Sequence, residues 1–229
     1  MNVIYGATRN LYPYLQGAIR SLLDHNKVSM LYILAEDDSL PFEIPCKHRV
    51  INVSCQEYFK PDGPNMSSIF TYMAMMRICT PEILKANKVI WLDVDTIVCD
   101  SLEPLWNIDL TGKWIAWCPE KLGTYRPYGP MYYNIGICVL NLQQMRKDGV
   151  TETAVELLNK DRYWCTDQCV MNMITPSEKM VEIDVRYNES FCCGYTDNPA
   201  VIHYAGIKNW YENDGMYRAE YRKKYEVKR

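Results

Sequence analysis

Two aspartates one residue apart close an apolar run in "KVIWLDVDTIVCD": Asp93 and Asp95 follow Val89 to Leu92. Residues i and i+2 of a strand point to the same side. The spacing therefore predicts both carboxylates on one side, at the carboxyl end of a strand that runs on through Asp95. In open α/β sheets that end is where ligands bind. Two ionised carboxylates within a few ångströms repel, and each raises the other's pKa. A divalent cation between them removes the repulsion, and hard oxygen ligands suit magnesium or manganese. Short acidic pairs also cap loops; the buried strand in front of this one is what favours a metal.

Of the three histidines, His25 ends a helical stretch and His48 lies among charged residues, and both read as ordinary. His203 closes an apolar run in "AVIHYAGIKNW", with Gly206, Lys208 and Trp210 close behind. Alone it would read as a satisfied core histidine. With its neighbours it suggests more. An imidazole can complete a manganese shell beside two aspartates, and a glycine that lets backbone approach a phosphate, followed by a lysine, suits a diphosphate.

The elements that must position these residues alternate. Residues 2–7 and 30–35 read as strands, 49–54 as a weaker one, and residues 15–23 carry a helical period. A helix is expected over residues 67–87, capped at Ser67 or Ser68 and interrupted at Pro81. "KVIWLDVD" is nearly continuous in apolar residues, as in a strand covered on both faces. "KWIAWC" and "YYNIGICVLNL" supply further strands; one helix is expected over residues 143–160 and another over 166–174, with short strands at "MVEID" and "AVIHYAG". Strands alternating with helices predict an α/β fold, a mostly parallel central sheet with helices on both faces.

The 229 residues suit one domain, 1–229. A net charge of -3 shows no basic face of the kind nucleic acid requires. No apolar run reaches the roughly 18–20 residues that span a bilayer, and "MNVIYGATRN" opens directly on a strand-like run without a basic leader. The expectation is a cytoplasmic protein. Residues 211–229 form a basic, tyrosine-rich tail, read as a solvated helix with a peripheral contact to the inner membrane face as the sharper alternative. The ten cysteines are read as reduced thiols rather than disulfides or a zinc site. Asn52, Asn65 and Asn188 each head an Asn-x-Ser triplet, taken as chance.

The blocks "NVIYGATRNLYPYLQGAIRSL", "FTYMAMMRICTPEILKANKVIWLDVDTIVCDSLEPLW", "YYNIGICVLNLQQMR", "CTDQCVMN", "VRYNES" and "VIHYAGIKNW" occur in this order along nearly the full chain. The sequence thereby resembles the family 8 glycosyltransferases, retaining, metal-dependent enzymes that include bacterial lipooligosaccharide galactosyltransferases and glycogenin. The resemblance implies a GT-A fold and a nucleotide-sugar donor, usually a UDP-hexose, transferred to an acceptor on a glycan or glycoconjugate. It assigns Asp93, Asp95 and His203 as ligands of Mn2+ or Mg2+, and Gly206 and Lys208 as diphosphate contacts. Ala7, Thr8 and Asn10 match the segment that holds uridine, with Tyr12 a candidate to stack on the base and Val94 part of the donor-binding set. Arg77, Asn134, Asp167 and Gln168 match positions around the donor sugar and phosphates, and Glu120 stands where an aspartate is common.

Three departures bear on these assignments. The family usually reads H-x-x-G-x-x-K-P-W; here one residue is missing before Lys208, and Asn209 replaces the proline, so the lysine is expected to meet the phosphate from a shifted position. Ile135 stands where a small alanine is common and is expected to narrow the sugar pocket. The acceptor-recognising loops are abbreviated. The reaction implied is hexose transfer with retention. Gln168 is a poor nucleophile, so attack on the same face as the departing phosphate is favoured over a covalent intermediate. A sugar-nucleotide-binding protein without turnover is the alternative. A nucleotidyltransferase would carry a glycine-rich basic loop after the first strand, and "GATRNLYP" is not one.

Overall fold

A computed structural model describes residues 1–68, 70–121, 131–206 and 218–225. Its frame is set by short strands, most of them apolar and buried on both faces. β1 (Asn2–Gly6), β2 (Met30–Ala35), β3 (His48–Asn52), β4 (Val89–Leu92), β6 (Ile115–Pro119), β7 (Tyr133–Leu140) and β8 (Met180–Glu182) form one sheet in the order β3-β2-β1-β4-β7-β6-β8. Pairing is parallel throughout except where β7 runs antiparallel to β4 and β6. A separate two-stranded ribbon joins β5 (Thr96–Val98) to β9 (Val201–His203).

Strand period two divides the core. Val89 and Trp91 pack into the cluster beneath α2 (Tyr72–Ile83), α4 (Leu142–Lys147), α5 (Val150–Lys160) and α6 (Thr166–Ile174). Ile90 and Leu92 pack into the opposite cluster, beneath α1 (Tyr12–His25) and α3 (Glu103–Trp106). Helices thus cover both faces of a mostly parallel sheet, as the alternation predicted.

Five details differ from the sequence expectation. The acidic pair is not in a strand: β4 ends at Leu92 and Asp93 begins a turn. The turn leads into β5, which the sequence reading missed because three residues are too few to show a period. The helix expected from residue 67 starts at Tyr72, since the Ser68 hydroxyl donates to the Phe70 carbonyl at 2.5 Å and closes a local turn instead. Pro81 does not interrupt that helix, because it falls in the last turn. There Arg146 reaches across to the carbonyls of Pro81 and Leu84 and caps the helix end. The helix expected over 143–160 is two helices, broken at Gly149, whose φ of 66° is left-handed.

No described helix is long and apolar enough to cross a membrane. The described part of the tail is α7 (Ala219–Lys224), and its tyrosines turn inward. Tyr225 is buried with Ile97, Ile202 and Tyr204 of the ribbon, and its hydroxyl donates to Asp24 at 3.0 Å.

Candidate functional site

The ribbon brings the distant histidine to the acidic turn. β5 pairs antiparallel with β9, placing Thr96 opposite His203. The backbone closes the arrangement: Tyr204 N–H donates to the Asp95 carbonyl at 2.9 Å, and Asp93 N–H to the Gly136 carbonyl at 2.8 Å. Asp93, Asp95 and His203 each offer a ligand atom, all within 4.8 Å of one another. His203 Nε2 stands 3.3 Å from Asp95 Oδ1 and 4.0 Å from Asp93 Oδ2. The histidine is buried, while both aspartates are 28% exposed, toward the pocket.

The charges in this cluster are unequal. Burial and the neighbouring Asp95 push the Asp93 carboxyl up, against the pull of Arg77. Burial would raise Asp95 too, but the His203 ring reverses the balance and holds it down. Burial opposes charge on His203, and Asp95 beside it more than offsets that.

Arg77, predicted near the donor, organises the second layer. Its buried guanidinium lies 3.1 Å from Asp93 Oδ1 and 3.2 Å from Asp167 Oδ2, donates to the Ile135 carbonyl, and sits 5.0 Å above the Trp91 ring. Trp91 in turn donates to Asp93 Oδ1 at 2.7 Å. Burial raises the Asp167 carboxyl to about 6, although Arg77 and the Thr166 hydroxyl pull it down. Thr166 holds a φ of 40°, costly for a β-branched residue, immediately before Asp167 and Gln168 at the start of α6.

Asn134, Gln168 and Glu120 meet on one carboxylate. Asn134 Nδ2 and Gln168 Nε2 each donate to Glu120 Oε1 at 3.0 Å, and Glu120 Oε2 is buried without a hydrogen-bond partner. These residues, with Arg77, Asp93, Asp95, Asp167, His203 and Gly206, line a cavity of about 190 Å³. Ile135 and Cys192 line it as well. Gly206 has a left-handed φ of 68° and open space at its Cβ position, so its use is the backbone turn.

A second cavity of about 220 Å³ shares Phe70, Ala74, Asp93 and Asp95 with the first and continues along Gly6, Leu11, Thr71, Met73, Trp91 and Val94. Val94 was expected here; Leu11, Phe70 and Thr71 were not, and nothing in their types signals a ligand. Ala7, Thr8 and Asn10 lie at the same end of β1 without lining it, Thr8 Oγ1 donating to Asn10 Oδ1 at 2.6 Å. Tyr12 corrects the expectation of a stacking ring. It is 5% exposed, and its hydroxyl donates to Asp37 at 3.0 Å and accepts from Glu36 N–H at 3.1 Å. It braces the end of β2 and has no open face. Lys208 lies outside the described residues.

Among the described residues lining the first cavity, four carboxylates (Asp93, Asp95, Glu120, Asp167) face one guanidinium. Anionic ligands are repelled from such a site unless a cation enters with them. Two carboxylates and an imidazole converging on one point are a donor set suited to a manganese-like divalent ion, and Gly136 backs them with no room for a side chain: a Cβ would fall 2.2 Å from His203 Cε1 and 2.8 Å from Asp93 Oδ2.

The sequence profile of "Glycosyl transferase family 8" matches residues 2–214. The chain belongs to this family. General stress protein A of Bacillus subtilis is 25% identical over 96% of this chain and 91% of its own length. Lipopolysaccharide glucosyltransferase WaaO of Escherichia coli is 24% identical over 93% of this chain and 73% of its own. The match spans 63% of a Haemophilus influenzae relative and 57% of GlyB of Streptococcus pneumoniae. Among solved structures, the galactosyltransferase LgtC in complex with donor and acceptor sugar analogs superposes with a TM-score of 0.77 at 20% identity, covering 98% of this chain and 94% of LgtC. The family 8 chain has the GT-A fold of such neighbours.

Proposed function

We propose that this family 8 chain transfers a hexose from a UDP-sugar, UDP-glucose or UDP-galactose, to a hydroxyl of a glycan or glycoconjugate, with retention at the anomeric carbon. The observation that carries the reading is the Asp93–Asp95–His203 trio set where two cavities meet, one roomy enough for a sugar and the other for a nucleoside. The trio would hold Mn2+ or Mg2+, which when bound supplies Lewis-acid stabilisation of the diphosphate leaving group. The glucosyltransferase and galactosyltransferase names of WaaO and LgtC favour these two donors.

The residues of the chain divide the remaining work. Arg77 fixes the Asp93 carboxylate and balances part of the pocket's negative charge. Glu120, which lines the cavity with its Oε2 buried and without a hydrogen-bond partner, would accept a hydrogen bond from a hydroxyl of the donor sugar. Gln168 has both ends of its carboxamide occupied, Oε1 by Ile135 N–H at 3.2 Å and Nε2 by Glu120. A side chain so held is better suited to orienting the sugar than to attacking it, which supports same-face attack, with the leaving phosphate accepting the acceptor's proton. Asp167 braces Arg77 from the other side. Gly206 and Lys208 complete the proposed diphosphate contacts.

The test is a donor panel of UDP-Glc, UDP-Gal, UDP-GlcNAc and UDP-GlcA with Mn2+, reading UDP release. Release with one or two hexose donors, abolished by EDTA, is expected. No release and no metal-dependent thermal shift with any donor overturns the proposal; UDP–Mn2+ binding without turnover leaves only a sugar-nucleotide-binding protein. If Gln168→Ala retains most of kcat, a nucleophilic role for Gln168 is lost.

A further inference from the structure

Asn188 lies in the loop before β9, wholly buried. Its carboxamide joins a chain of polar contacts that runs from His203 to Gln168. His203 Nδ1 is 2.8 Å from Asn188 Oδ1, Asn188 Nδ2 is 2.9 Å from Asn134 Oδ1, and Asn134 Nδ2 is 3.0 Å from Glu120 Oε1.

The direction of each bond follows from one group that cannot reverse. The Gly136 backbone N–H points at an amide atom of Asn134 at 3.0 Å. A backbone N–H only donates, so that atom is the Asn134 oxygen, and the Asn134 nitrogen faces Glu120. The Asn134 oxygen also meets Asn188, so Asn188 must present its nitrogen there. That leaves the Asn188 oxygen toward His203 Nδ1, which must then carry a hydrogen. In a neutral imidazole the other nitrogen is bare. Nε2 is the nitrogen that faces Asp95 and Asp93.

We propose that Asn188 is a positioning residue for the cation site, its carboxamide holding His203 in the Nδ1–H tautomer with Nε2 bare toward Asp93 and Asp95. The inference rests on the reading of that trio as a divalent-cation site. Metal-bound histidines commonly donate their second ring N–H to an oxygen that fixes ring and tautomer, and loss of that oxygen costs about 10–100-fold in metal affinity. Here the oxygen is itself held, through Asn134, by the backbone of β7. With both carboxamide atoms in use inside the fold, Asn188 is no glycosylation acceptor in the native protein.

Two readouts test this. Mn2+ affinity without donor, by electron paramagnetic resonance, should fall about 10–100-fold in Asn188→Ala. It should stay within about threefold of wild type in Asn188→Asp, which keeps an oxygen for His203 Nδ1–H while losing the bond to Asn134. Aspartate nearly matches asparagine in shape, so packing alone would spare it too, and the tautomer readout separates the two roles. Alanine equal to wild type, or aspartate as weak as alanine, overturns the proposal. On metal-free protein in EDTA at alkaline pH, ¹⁵N-detected NMR of the three histidines, with His203 assigned by its alanine variant, should give the Nδ1–H pattern; Nε2–H overturns it. If wild-type protein binds no Mn2+, the site reading fails instead, and the NMR result still decides the role of Asn188.

Discussion

Gly136 and His203 pack so closely that no Cβ fits between them. A Cβ built on Gly136 would lie 2.2 Å from the ring carbon Cε1 and 2.9 Å from Nε2. Neither partner can yield: Gly136 sits within β7, and the His203 ring is fixed at Nδ1 by Asn188. Gly136→Ala should therefore displace the imidazole. We expect a folded protein, destabilised by about 1–3 kcal/mol as for an overpacked core, with Mn2+ affinity and transfer both reduced at least about 100-fold. Titration calorimetry with Mn2+, beside near-UV circular dichroism, checks it; near wild-type affinity would refute the contact.

Asp93→Asn and Asp95→Asn should leave the fold intact and abolish metal-dependent transfer. An amide nearly matches the carboxylate in shape, and at Asp93 burial already works against charge. Loss of a divalent-cation ligand at a developing anion is expected to cost about 10²–10³-fold in kcat. Melting temperatures within a few degrees of wild type, together with that loss, are the expected pair of results.

Asp167 should make stability fall as pH rises. Its folded-state pKa is about 6 against an unaltered value of 3.8. Between those values the native state holds a proton that the unfolded chain has released, so ∂ΔG/∂pH is negative there. The stabilisation is fully present below about pH 4 and lost as pH passes 6. About two units correspond to roughly 3 kcal/mol. Asp167→Asn lacks this dependence, so in EDTA the stability difference between the two proteins should shift by about 2–3 kcal/mol in favour of the variant between pH 4 and pH 7. Denaturant melts at both pH values measure the difference, and a gap independent of pH would refute the assignment. Catalytic activity should fall in the same variant, a common trade between function and stability.

Arg218 ties the C-terminal helix to the strand that carries His203. Its Nε donates to Glu189 at 2.5 Å and its NH2 group to the Thr196 carbonyl at 2.6 Å, while the Glu189 carbonyl accepts His203 N–H at 2.8 Å. Glu189 is fully buried. Arg218→Ala removes a charged partner of Glu189, whose Oε2 still accepts from Thr196 N–H at 2.8 Å, and breaking a buried pair costs about 3–5 kcal/mol. A fall of that size in urea-derived stability is expected, whereas a tail held only by a membrane surface would leave the protein's stability in solution unchanged.

Much of the fold was legible in the chain. Apolar runs such as Val3–Tyr5 and Val89–Leu92 are buried on both faces, and their composition says so directly. Asp93, Asp95 and His203 were readable as chemistry because acids after a buried strand and a histidine closing an apolar run are local anomalies. Asn188 carried only a glycosylation triplet as its signal, and Gly136 none.

The sequence by itself determined the strand-and-helix alternation, the family, and which three side chains could ligate a cation. Tertiary structure decided where they meet. The turn at Asp93, the three-residue β5 and the pairing of Thr96 with His203 join positions more than a hundred residues apart. The Gly136 contact and the route from Asn188 to Gln168 likewise join separate segments of the chain. Periodicity and propensity act within one segment, whereas these features depend on hydrogen bonds and close packing between segments, which exist only once the sheet has assembled.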